Sequence, residues 1–113
     1  MKTLIACLVI AMAMESAASE PRQPRVLFFH ASWCVPCEQA LKGPEAFPDW
    51  LRRSGWEVDE STRSHVQLVN VDDRNDLVTI YGVRRIPAMV LIDGVHSGPV
   101  MYTGRASLIG MFR

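Results

Sequence analysis

Val26-Leu27-Phe28-Phe29-His30-Ala31-Ser32-Trp33-Cys34-Val35-Pro36-Cys37 is the stretch on which the reading of this chain turns. Val26 to His30 is a continuous apolar run with no alternation, which suits a central strand covered on both faces. Directly after it come two cysteines separated by two residues, at the point where a helix can begin. Ser32 is expected to cap that helix, which takes in Cys34 to Leu41 and carries Glu38 in its early turns. At a helix N-terminus the free backbone N–H groups and the positive end of the dipole favour thiolate over thiol, lowering a pKa of about 8.5. Cys34 is therefore the expected nucleophile. Cys37, one turn further in, is the expected resolving thiol. The residues alone leave the pair as a redox couple, a metal-binding pair or a local staple; as a redox couple, the Cys34 thiolate would attack a disulfide to form a mixed disulfide, from which Cys37 would displace the reduced product.

Working outward, Gly43-Pro44 forces a break before a second helical piece from Ala46 to Arg53, which Ser54-Gly55 ends. Gly55 to Ser64 reads as an exposed loop, with a short strand as the alternative, because the strand-like Trp56-Glu57-Val58 runs straight into a polar, turn-forming segment. Val66 to Val71 is the next strand, stopped by Asp72-Asp73. Asn75 to Tyr81 places Leu77, Val78, Ile80 and Tyr81 at helical spacing, with Gly82 as the stop. A strand from Ala88 to Ile92, the turn Asp93-Gly94 and a strand near Pro99 to Thr103 make a hairpin. Ala106 to Phe112 forms a short closing helix. The order β, α, β, α, β, β, α predicts an α/β fold with a mixed four-stranded sheet flanked by helices: two crossovers imply parallel neighbours and the hairpin is antiparallel.

At 113 residues with 49% apolar side chains the chain supports one core and not two. Basic and acidic residues balance at 12 each and the arginines are scattered, so nothing argues for nucleic acid or an anionic membrane as partner. Residues 1–18 read as a secretory signal peptide. Lys2 is the basic start, Leu4 to Met14 the apolar segment, and Ser16-Ala17-Ala18-Ser19 supplies small residues for cleavage after Ala18 or after Ser19. The apolar segment is shorter than the ~20 residues that span a bilayer, so no stable membrane insertion is expected after cleavage. Residues 19–25 are a flexible, proline-bearing leader and 26–113 the folded domain. Cleavage removes Cys7 and leaves Cys34 and Cys37 in a periplasmic or secreted protein, a compartment where disulfides persist.

The segment from Phe28 to Cys37, with a tryptophan before the first cysteine and a proline before the second, resembles the active-site segment of the thioredoxin-like family. Tyr81 to Gly94 is similar to the segment around that family's cis-proline, here Pro87, and Thr103-Gly104 to its glycine after the last strand. Three motifs in the right order cover most of residues 26 to 105. The resemblance implies a thiol:disulfide oxidoreductase with a redox-active Cys34–Cys37 disulfide and no other cofactor or metal. It also implies that Ile86, before a cis Pro87, offers its backbone to an extended substrate. Trp33, Val35, Pro36, Ile86, Pro87 and Gly104 would surround the sulfurs as the substrate-binding surface. Protein or small-molecule disulfides are the implied substrates, and Pro36 and Ile86 match the reducing members, so an electron donor is required. A monomer is expected.

The chain departs from the family in two ways. The strand and helix that full thioredoxins carry ahead of the active-site strand have no room between Ser19 and Val26. The family's buried acid falls at Phe28 and its partner lysine at Leu68, both apolar here. Removing the pair together avoids stranding one buried charge, yet it takes away a proton acceptor for Cys37. His30 and Glu38 are the two candidates for a replacement proton relay. His65 and His96 read as loop residues, and Asp72, Asp73 and Asp76 as turn and helix-cap residues. Arg85 falls where the family commonly has a small residue, beside the site. The competing class is a non-enzymatic binding module or a copper or zinc carrier using Cys34 and Cys37 as ligands. Such a site usually needs two further Cys or His ligands, of which His30 is the nearest candidate.

Overall fold

The structure, a computed structural model, describes residues 25–92 and 98–112. The signal peptide, His96 and the turn Asp93-Gly94 lie outside them. The described chain runs β1 (Arg25–His30), α1 (Val35–Lys42), α2 (Phe47–Arg53), β2 (Val58–Asp59), β3 (Val66–Asn70), α3 (Asn75–Tyr81), β4 (Ala88–Ile92), β5 (Val100–Met101) and α4 (Arg105–Gly110). Arg25, assigned from sequence to the leader, is the first residue of β1 and pairs with Ile92.

The strands form one mixed sheet in the order β2-β3-β1-β4-β5. β1 lies parallel to β3 and antiparallel to β4, so the apolar run occupies the centre. Its alternate side chains divide the core in two. Val26 and Phe28 face a cluster with Ala40 of α1, Phe47 and Leu51 of α2 and Leu108 of α4. Leu27 and Phe29 face the opposite cluster, with Val69, Val83 and Val90 and with Leu77, Val78 and Tyr81 of α3. Burial on both faces is what an unalternating strand requires. Phe28 is fully buried, 4.7 Å from the Phe47 ring and edge-on to Tyr102 at 5.3 Å.

The sheet has five strands, one more than the sequence predicts. The extra strand, β2, pairs with β3 through Val58↔Val66 and Asp59↔Gln67. Two features hold it there: the Val58 side chain is buried, and its carbonyl accepts from Nε and Nη2 of Arg52 at 3.1 and 2.6 Å. Asp59 then gathers the polar loop beyond it, accepting from the Ser61 amide at 2.7 Å and from the Ser64 hydroxyl. These hydrogen bonds hold its carboxyl below the usual range.

The helix starts shift for local reasons. The Cys34 amide donates to Ala31 O at 3.2 Å, so a turn closes first and α1 begins at Val35. Pro36 sits in the first helical turn, where no amide donor is needed. At the other end the Gly43 amide donates to Gln39 O at 2.9 Å, and the backbone approaches so closely that a Cβ on Gly43 would meet that oxygen at 2.6 Å. Pro48 likewise falls in the opening turn of α2. Gly82 stops α3 in the left-handed conformation at φ 67°.

Candidate active site

Because β1 and β3 are parallel neighbours, their carboxyl ends lie side by side, and β4 meets β1 there at its start, pairing Ala88 with Phe29. Residues 31–37, 71–72 and 86–87 therefore converge at one edge of the sheet. Cys34 and Cys37 form a disulfide across the first turn of α1, with Cα atoms 5.2 Å apart. Cys37 is completely buried and Cys34 nearly so, packed with Ala31 and against Val71 and Ile86.

The residue that caps α1 is Cys34 and not Ser32, whose side chain is exposed. Its Sγ accepts from the Cys37 amide at 3.2 Å. A sulfur in this position receives an oriented N–H donor and the positive end of the helix dipole, and both favour the thiolate once the disulfide is reduced. The same Sγ lies 3.9 Å from the Ile86 carbonyl oxygen. In the disulfide the sulfur has no proton to donate, so this is a packing contact that places the Ile86 backbone beside the reactive atom.

The Ile86–Pro87 peptide bond is cis. Pro36, Pro87 and Gly104 line one groove of about 250 Å³ together with Tyr102, Thr103 and Glu45. Trp33 and Val35 border the sulfurs with 66% and 63% of their surface exposed. Large apolar side chains left in water around a nearly buried sulfur make a surface suited to contact with another chain. Sequence reading missed what holds Trp33: its Nε1 donates to Asp72 Oδ2 at 3.1 Å. Asp72 was assigned to the turn after β3, and it belongs to that turn as well, its amide donating to Asn70 Oδ1 at 2.9 Å. The available signal was topological, since parallel β1 and β3 must end beside one another. Asp76 pairs with Arg74 at 3.0 Å and does not cap α3.

His30 and Glu38 line a separate cleft of about 250 Å³ between the end of β1 and α1, with Lys42 and Asn70. His30 stands two residues beyond Phe28 on the same face of β1, its ring 6.3 Å from the Phe28 ring. Burial pushes its pKa below the ordinary 6.5, against the opposing pull of Glu60 and Asp73. Phe28 and Leu68, the positions of the family's acid and lysine, are register partners across β1 and β3 and pack in one apolar cluster. His65 sits in the loop before β3, its Nδ1 accepting from the Glu57 amide at 2.9 Å. Among the described residues no three His, Cys, Asp or Glu side chains stand together as a metal-binding group, and no helix is long and apolar enough to cross a membrane.

No family model and no curated protein matches the sequence. Solved structures do match the fold. The germline-specific thioredoxin Deadhead of Drosophila melanogaster is 24% identical, covering 89% of this chain and 87% of its own, with a TM-score of 0.59. The C-terminal domain of Neisseria meningitidis DsbD in its reduced form is 21% identical over 94% of this chain and 93% of its own, at 0.51. A mutant thioredoxin from Halobacterium salinarum is 27% identical over 80% and 73%, at 0.56. The chain has a thioredoxin-like fold. In this thioredoxin-like domain the Cys34–Cys37 pair lies at the end of the first described strand and the start of the helix after it, the arrangement of a thiol-disulfide oxidoreductase fold.

Proposed function

We propose that the domain is an exported thiol:disulfide oxidoreductase that reduces protein disulfides. The observation that carries this reading is the capping position of Cys34, whose sulfur receives the Cys37 amide at the start of α1. The reduced domain presents a Cys34 thiolate, which attacks one sulfur of a substrate disulfide and expels the other as a thiolate that takes up a proton. Cys37 then loses its proton and attacks Cys34 Sγ. That step releases the second substrate thiol and closes the Cys34–Cys37 disulfide. Two electrons pass to the substrate, and a dithiol donor restores them. Full burial of Cys37 supports its role as the resolving thiol, because an external disulfide cannot reach it.

Trp33, Val35, Pro36, Ile86, Pro87 and Gly104 form the substrate contact surface, with Asp72 fixing the Trp33 indole. His30 and Glu38, which line one cleft beside α1, are the two candidate proton acceptors for Cys37, and the burial that lowers the His30 pKa keeps its ring unprotonated and able to accept at pH 7. Export follows from the reading of residues 1–18, and the donor is a dithiol of the compartment to which the domain is delivered.

The test is a reduction potential together with insulin-disulfide reduction by the purified mature domain. The expected potential is at or below about −230 mV, well to the reducing side of a strong oxidase at about −120 mV. Cys37→Ser should trap mixed disulfides and Cys34→Ser should not. Absence of turnover, with one copper or zinc ion bound through both cysteines, would establish the metal-carrier reading instead.

A further inference from the structure

A second groove, of about 240 Å³, is lined by residues that flank the Ile86–Pro87 segment in sequence, Arg84, Arg85 and Ala88, together with Gly82, Val100 and Met101 among others. Arg84 and Arg85 are exposed, and among the described residues neither has a hydrogen-bond or salt-bridge partner. Among the described residues the lining contains no carboxylate. Elsewhere around the site Asp72 holds Trp33, and Glu45 faces Arg105 at 3.5 Å. Val100 and Met101 belong to β5, the last strand of the sheet order, and both leave large apolar side chains exposed. Two free guanidinium groups thus share a groove with an apolar floor, and the second immediately precedes the residue whose carbonyl lies 3.9 Å from Cys34 Sγ.

We propose that this groove docks an acidic, extended segment of the substrate protein, so that the domain prefers disulfides flanked by Asp or Glu. Carboxylates of the segment pair with Arg84 and Arg85, bidentate where the guanidinium faces them squarely. Its apolar side chains lie on Val100 and Met101. Basic and acidic residues balance over the chain, so the selectivity is local and screened by salt. The disulfide part of this proposal rests on the oxidoreductase reading, whereas the charge preference rests on the groove alone.

The test uses two disulfide-linked peptide dimers that differ only in carrying Asp or Lys beside a Leu-Cys core, with hydroxyethyl disulfide as an uncharged reference. The pre-reduced domain is mixed with each in a single turnover, and each rate is divided by that for hydroxyethyl disulfide. The acidic dimer should react about three- to tenfold faster than the basic one at low salt, the range for two exposed charge pairs. The ratio should approach one at about 0.5 M salt. In an Arg84→Glu/Arg85→Glu variant it should invert. A ratio of one at low salt, or an unchanged ratio in the variant, overturns the proposal. The same peptides with serine in place of cysteine are titrated onto the oxidised domain by fluorescence anisotropy. If hydroxyethyl disulfide is not reduced at all, the oxidoreductase reading fails, and this binding arm still decides the groove. Preferential binding of the acidic peptide, lost in the variant, supports it, and equal binding of the two overturns it.

Discussion

At the scale of single residues, Phe28 and His30 mark where this chain departs from the family it resembles. The strand position expected to carry an acid is filled by a buried phenyl ring, and the titratable group stands one pleat further along the same face. The histidine titrates below its ordinary 6.5 because burial disfavours the charged form, with Glu60 and Asp73 pulling the other way. The neutral ring therefore contributes stability that is present above pH 6.5 and is lost as the pH falls through the lower folded value. Urea midpoints at pH 7.5 and pH 5 should fall further for the wild type than for His30→Gln. The rate at which Cys37 resolves a mixed disulfide should drop for the same variant at pH 7. The candidacy of His30 as a replacement for the acid missing at Phe28 was legible from sequence. The Trp33–Asp72 hydrogen bond was not, since it joins residues 39 positions apart and rests on two loops meeting at a sheet edge.

Among the elements, α1 does the most for the site, its start set by a side chain and its end by backbone. Cys34 caps the start, and Gly43 closes the end against the Gln39 carbonyl. A methyl group at position 43 would meet backbone atoms at 2.6 and 3.2 Å, so α1 or the turn into α2 must shift. Gly43→Ala should destabilise the domain by about 1–3 kcal/mol in chemical denaturation. Gly110→Ala, at the end of α4 where a Cβ meets nothing within 4 Å, should be neutral or stabilise by up to about 1 kcal/mol. The Gly43-Pro44 break and the Gly82 stop were readable because both act within one turn of helix. The fifth strand was legible only in part, because Trp56-Glu57-Val58 has strand-like composition but its pairing depends on Arg52 and Val66, which lie outside that segment.

For the molecule as a whole, the sheet is graded from its middle outward. β1 has strand neighbours on both sides and apolar clusters on both faces, whereas β2 and β5 are two-residue edges. Local opening therefore reaches the edges first, and the centre opens only when the domain unfolds. In deuterium exchange the amides of Leu27, Phe28 and Phe29 should be the last to take up label, at the rate set by global unfolding. Those of Val58 and Val100 should label through small fluctuations. Cys34 hangs four residues beyond that slowest strand. Heating should thus erase the protection of β1 and the reactivity of the Cys34 sulfur over the same few degrees, while the rim on which a partner would settle goes on breathing well below that temperature.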